Sequence, residues 1–320
     1  MSLRMWGASG PIISVEGKKG FFDVSYENDS QAQKLDVWLP EGNGPFPVIV
    51  SIHGGGYSAC DKRQKGMITP MLSGLSKGYA VIGLNYRLSR ETQYPNPVKD
   101  IKQAIRFIKA NASEWGIDPN RIVIWGGSAG GYMTLMSCLF ADDEEFDNPD
   151  DPNLLISAHI AGAIAWYPQT DFSSCDKELK MNSVINSFLR KELLDTHEKY
   201  VPAFGEVKES DFPYHDADNT PGVLFLGDST QSETAKKASP IYRLHKSIPP
   251  ILVQHGSGDE ILPMQQSIRF ALKANEICGD ERVKLEIIPN AIHASVLFET
   301  EENIEKCLSF IGQIFSSIND

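Results

Sequence analysis

The sequence predicts an α/β fold, a mostly parallel doubly wound sheet with antiparallel strands at its amino-terminal side. Three observations carry this. Short β-branched apolar runs alternate with stretches of helical periodicity from Phe46 to the end of the chain. One run, Arg121 to Trp125, passes through two glycines and a serine straight into a helical pattern. Before Phe46 the apolar runs are short, separated by turn residues, and have no helical stretch between them.

Taken in order, Pro11 to Val15, Gly20 to Tyr26 and Leu35 to Leu39 are expected as antiparallel strands. Pro40 to Pro45 is a loop by its glycine and proline content, and Phe46 to Ile52 reads as a central strand. Gly78 to Leu84 is a second buried strand. Val98, Ile101, Ala104, Ile105 and Ile108 then recur at three and four, so the segment from Val98 to Asn111 predicts an amphipathic helix. Arg121 to Trp125, Ile160 to Trp166, Pro250 to His255 and Val283 to Ile288 supply the remaining strands, with helices expected from Ala129, from Pro263 to Glu276 and from Glu301 to Ile318. Between Phe172 and about Thr234 the pattern breaks. The only strand-like run there is Val223 to Leu226, beside a partly helical stretch (Val184 to Leu194) and a Phe/Pro/Asp-rich one (Ala203 to Asn219). The chain therefore reads as one domain, 1–320, with a cap or lid inserted at about 173–234. Phe188, Leu193, Phe204 and Phe212 are expected to form that insertion's own core rather than line a pocket.

Composition narrows the function. With 320 residues and 41% of them hydrophobic, the chain can bury a large core. A net charge of −12 without a basic stripe disfavours nucleic acid and anionic membrane surfaces as partners. No apolar run is long enough to span a bilayer. Met1-Ser2-Leu3-Arg4-Met5-Trp6 lacks the apolar stretch of a signal peptide, and Cys60, Cys138, Cys175, Cys278 and Cys307 are scattered and odd in number. Free thiols in a reducing, cytoplasmic compartment are the expectation. Asp142 to Pro152 is rich in carboxylates but lacks the spacing and central glycine of a calcium loop, so a solvated surface loop is expected and no metal.

The chemistry concentrates at strand ends. In Gly126-Gly127-Ser128-Ala129-Gly130 the serine sits in a tight bend at the amino end of a helix, its small neighbours letting strand, helix and substrate approach closely. The bland alternative is a serine that merely caps the helix. His53-Gly54-Gly55-Gly56-Tyr57 follows another strand, and its backbone N–H groups are free to turn towards a ligand. Asp259 and His293 lie after the last two strands, so Ser128, Asp259 and His293 come in the order nucleophile, acid, histidine. The chemistry needs all three: the hydroxyl is a poor nucleophile until a histidine removes its proton, and a carboxylate fixes and charges that histidine favourably. Glu260, Asp171 and Asp228 are the rival acids. His53 is expected to brace its glycine loop, His255 to be structural, and His159, His197, His215 and His245 to be surface residues.

His53 to Tyr57, Asn85-Tyr86-Arg87-Leu88, Asp118 to Ile122, Gly126 to Gly131 and Ala238-Ser239-Pro240 together resemble the α/β-hydrolase esterases. The similarity is to the hormone-sensitive-lipase-like carboxylesterases and the acetyl-esterase and feruloyl-esterase-like branch. It runs from about Phe46 to the end and is weakest in the insertion. The resemblance implies a triad of Ser128, Asp259 and His293, and an oxyanion hole from the N–H groups of Gly55, Gly56 and Ala129. It implies no cofactor and a small-molecule or carbohydrate acyl ester, acetyl esters first, as substrate. Around the histidine the chain reads Ala291-Ile292-His293-Ala294-Ser295, where the family often has glycine beside it. An amidase, peptidase or arylformamidase with the same triad, or a silent binding protein on the fold, are the alternatives. The oligomeric state is left open, a homodimer included.

Overall fold

A computed structural model describes residues 10–192 and 202–318. Strands β1 (Gly20–Ser25), β2 (Lys34–Trp38) and β3 (Phe46–Ile52) come first, followed by helix α1 (Lys65–Leu72) and β4 (Ala80–Leu84). Then come α2 (Asn96–Ala110), α3 (Ala112–Trp115), β5 (Ile117–Gly127), α4 (Ala129–Ser137) and β6 (Gly162–Trp166). The excursion after β6 holds α5 (Cys175–Glu192), α6 (Pro221–Leu226) and α7 (Glu233–Ala238). The chain closes with β7 (Ile251–Gly256), α8 (Gln265–Cys278), β8 (Val283–Ile288) and α9 (Glu301–Ser317).

The eight strands form one sheet in the order β1-β2-β4-β3-β5-β6-β7-β8. β2 pairs antiparallel with β1 and β4, and every pairing from β4 through β8 is parallel. The pleat sends alternate residues to opposite faces. Val48, Val50 and Ile52 pack with Ile101 and Ile105 of α2 and Tyr132 and Met136 of α4. Ile49, Val81, Val123 and Leu252 pack on the other face with Ile68 of α1 and Ile311 and Phe315 of α9. Both faces are covered, which is why the central strands are nearly all apolar and show no polar alternation.

Three expectations require correction. Pro11 to Val15 is not a strand; it makes one isolated bridge, Ile12 to Gln64. Val223 to Leu226 is helical, because Pro221 fits the first turn of α6 and Gly227, at φ 68°, ends it. The acidic stretch is less solvated than expected. Asp147 pairs with Lys102 and Arg106, and Asp143 and Glu145 clamp Arg243 over the Phe146 ring. The helical stretch read to Leu194 is described as far as Glu192; Leu193, Leu194, His197 and Met1 to Trp6 lie outside the described residues. All five cysteines are free thiols. Among the described residues no helix is long and apolar enough to cross a membrane.

Candidate active site

Every element of the site hangs from the carboxyl end of a parallel strand, where an open α/β sheet leaves room for a ligand. Ser128 follows β5 at φ 57°, ψ −122°, a backbone conformation that few residues with a side chain adopt. Its neighbours explain how the bend closes. A Cβ on Gly130 would lie 2.1 Å from the Ile52 carbonyl oxygen, and one on Gly126 2.6 Å from that of Gly130. Only glycine lets α4 approach β3 and β5 this closely.

β3 lies beside β5, so the loop His53 to Tyr57 stands next to Ser128. A Cβ on Gly54 would fall 3.4 Å from the Ser128 Cβ, which makes Gly54 the glycine lying against the serine. Gly55 and Gly56 follow at φ 98° and 58°. Among the described residues no group accepts from the N–H of Gly55, Gly56 or Ala129. Three backbone donors next to a serine are thus uncommitted, with the amino end of α4 adding its partial positive charge. His53 braces the loop as expected. Its ring stacks on Tyr86 at 4.7 Å and its Nδ1 lies 2.8 Å from the Gly54 carbonyl, while burial pushes the imidazole's pKa down.

His293 Nε2 stands 2.9 Å from Ser128 Oγ, and its Nδ1 stands 2.8 Å from Asp259 Oδ2. A carboxylate can only accept, so Nδ1 carries the proton and Nε2 presents its lone pair to the serine hydroxyl. Because β8 is three strands away from β5, something must fill the gap beneath the imidazole. Tyr167, at the end of β6, does so. Its ring meets His293 edge-on at 4.9 Å, and a Cβ on Gly127 would strike its hydroxyl at 2.8 Å. Sequence reading passed over Tyr167, which leaves its strand at φ 37°.

Asp259 is buried, and burial alone would raise its carboxyl. The charge of His293 and hydrogen bonds from His255 and His293 outweigh this and hold it well below the usual carboxylate range. Its Oδ1 accepts from the N–H groups of Ile261 and Leu262, each at 2.9 Å. The rivals are engaged elsewhere: Asp171 pairs with Arg269 and Asp228 is exposed. The other histidines divide. His159 is exposed and His245 half-buried, whereas His215 is tucked beside the triad with Nε2 2.7 Å from the Ile261 carbonyl. Burial above all, with the nearby His293, pushes the His215 imidazole's pKa down.

The segment covering this corner is held by the inner face of α5. Asn186 Nδ2 donates to the Phe204 carbonyl at 2.8 Å, Ser183 Oγ to that of Val207 at 2.9 Å, and Asp176 accepts from the N–H groups of Tyr214 and His215. Gly205 lies so close beneath that a Cβ there would sit 1.7 Å from the Asp259 carbonyl oxygen. The aromatic expectations do not hold. Phe188 is 62% exposed on the outer face, Phe212 is half-buried under Lys180, and Phe204 is engaged through its backbone. The packed aromatic cluster is Tyr57, Tyr132, Phe172 and Phe225, with Tyr57 stacked on Phe225 at 4.1 Å.

A family model described as BD-FAE matches residues 35–204 and 178–274. The chain belongs to the BD-FAE family. Over 302 residues it is 26% identical to the probable carboxylic ester hydrolase LipM of Mycobacterium tuberculosis, covering 92% of this chain and 61% of that protein. The chain spans 61 to 64% of the length of the curated relatives it matches over most of its own length. Among solved structures, a truncated carbohydrate esterase from gut microbiota superposes with a TM-score of 0.71 at 21% identity, over 92% of this chain and 95% of that one. An acetyl ester-xyloside bifunctional hydrolase from Caldicellulosiruptor lactoaceticus gives 0.67 at 21% identity, over 93% and 96%. The fold is that of the α/β-hydrolases.

Proposed function

We propose that this BD-FAE protein is a serine carboxylesterase that hydrolyses short acyl esters, acetyl esters first among them. The observation that carries the reading is the line from Ser128 Oγ through His293 to Asp259, at 2.9 and 2.8 Å. His293 Nε2 takes the Ser128 proton as Oγ attacks the ester carbonyl. The resulting oxyanion is received by the N–H groups of Gly55, Gly56 and Ala129, and collapse expels the alcohol, which leaves with the proton from His293. Water, deprotonated by the same imidazole, then attacks the acyl-serine and releases the carboxylic acid.

The names of the related proteins support ester over amide substrates, and those of two structural neighbours support a carbohydrate acetyl ester. The local packing supports a small acyl group: Pro221, at the start of α6, would lie 3.1 Å from a Cβ on Gly56, and the rings behind it are fully buried. The segment 173–234 acts as a cap over the acid side of the site.

An acyl series of nitrophenyl esters from acetate to decanoate tests this. Acetate is expected to be turned over fastest, and Ser128→Ala to remove turnover and labelling by a fluorophosphonate. Full activity in Ser128→Ala, or a preference for the longest chains, contradicts the proposal.

A further inference from the structure

β7 ends at Gly256, Asp259 stands in the turn that follows, and the chain returns through Leu262 to enter α8. His255, fully buried at the end of that strand, reaches across the turn. Its Nε2 lies 2.7 Å from the Leu262 carbonyl oxygen and 3.4 Å from Asp259 Oδ2, and its Nδ1 lies 2.6 Å from Ser267 Oγ on α8. A carbonyl oxygen and a carboxylate only accept, so Nε2 bears a hydrogen whatever the charge of the ring. The Ser267 hydroxyl serves either state, donating to a neutral Nδ1 or accepting from a charged one.

We infer that His255 is a positioning residue for the acid of the triad, its Nε2–H shared between the Leu262 carbonyl and the Asp259 carboxylate, so that one imidazole holds both the turn and Oδ2. The inference rests on the reading of Ser128, His293 and Asp259 given above. Asp259 thus has imidazoles on both sides of one oxygen, His293 at 2.8 Å and His255 at 3.4 Å, while backbone N–H groups occupy the other. Rotating the carboxyl group breaks these bonds together. The His255 donor also draws negative charge from Oδ2 that would otherwise act on His293. Its removal leaves more negative charge facing the Nδ1–H of His293 and the carboxylate freer to turn.

Other ionisable groups face this pair from each neighbouring element. His293 comes from the loop after β8, His215 and Tyr214 from the covering segment, Tyr167 from the end of β6, and Glu260 adjoins the acid. α8 presents the uncharged Ser267. All of these remain in place when His255 is changed, so the variants report on one donor.

The test is the pH dependence of nitrophenyl acetate hydrolysis by His255→Leu and His255→Gln, between about pH 5 and pH 9. His255→Leu fills the space without a donor. Its kcat is expected to fall about ten- to a hundredfold with KM little changed, and the acid limb of kcat/KM to move up by about half a unit. His255→Gln, whose amide N–H reaches the same acceptors, restores the limb and most of kcat. Should His255→Leu fail to fold, Ser267→Ala keeps the ring and removes its tether, with a smaller shift in the same direction. An acid limb that stays put or moves down in a folded His255→Leu overturns the inference, as does a glutamine variant no better than leucine or an unaltered Ser267→Ala. In each of those cases an active wild type leaves the esterase reading standing. A wild type that neither hydrolyses the ester nor labels at Ser128 removes both.

Discussion

Replacing Ser128 by glycine should make the protein more stable as it makes it inert. The residue is held at φ 57°, ψ −122°, where a side chain costs about 1–3 kcal/mol. Alanine keeps the Cβ and therefore the strain, while losing the hydroxyl and its bond to His293. Glycine loses the same hydroxyl but relieves the strain, at an entropic cost of about 0.5–1 kcal/mol in the unfolded chain. The difference between Ser128→Gly and Ser128→Ala isolates the backbone, and it should favour glycine by about 0.5–2 kcal/mol. Over 320 residues, an unfolding entropy of about 2.1 cal/mol/K per residue makes each kcal/mol worth ~1.5 °C. The glycine variant should thus melt ~1–3 °C above the alanine variant, with neither hydrolysing nitrophenyl acetate. Differential scanning calorimetry of the pair decides it. Equal midpoints, or alanine above glycine, would show that the bend stores no strain and that its geometry needs another cause.

Asp259→Asn should lower kcat about a thousand- to ten-thousandfold while leaving KM nearly unchanged, because the amide no longer fixes the tautomer of His293; steady-state kinetics read this directly. His53 and His215 both have imidazole pKa values pushed down by burial. Their folded forms resist protonation, so the stability they support is full above the unfolded value of about 6.5 and is lost as pH falls below it. Urea midpoints should fall from about pH 7 to about pH 5.5, and a flat profile would contradict the assignment. Ala294, beside the histidine, sits at φ 53°. Ala294→Gly should raise the unfolding free energy by up to ~1 kcal/mol, the left-handed strain outweighing the entropy glycine adds, as chemical denaturation would show.

That last position also shows how far the sequence could be read. Where the resemblance leads one to expect glycine beside the histidine, Ala294 holds a left-handed backbone under strain. The sheet was legible because strands buried on both faces leave apolar runs, as in Val48 to Val50 and Val123 to Trp125. The candidate grouping of Ser128, Asp259 and His293 could be read from their places after β5, β7 and β8, at the same end of one sheet. The covering segment was not. Val223 to Leu226 is β-rich in composition, and the Pro221 and Gly227 that bound α6 were the signals pointing to a helix. His255 was read only as structural, His215 as a surface residue and Tyr167 as part of a connection, because their partners are distant carbonyls, a carboxylate and a ring edge, none of which leaves a periodic trace. The carboxylates of Asp143 to Asp147 looked solvated because the cations that meet them, Lys102, Arg106 and Arg243, come from remote stretches.

The tight seat of Gly205 on the backbone of Asp259 bears on how substrate gets in. To lift this part of the cover, the protein would have to give up the bonds from Asn186, Ser183 and Asp176 and expose the acid's turn to water. Water there would compete for the very carboxylate that orients the histidine. This side of the crevice therefore behaves as a fixed wall.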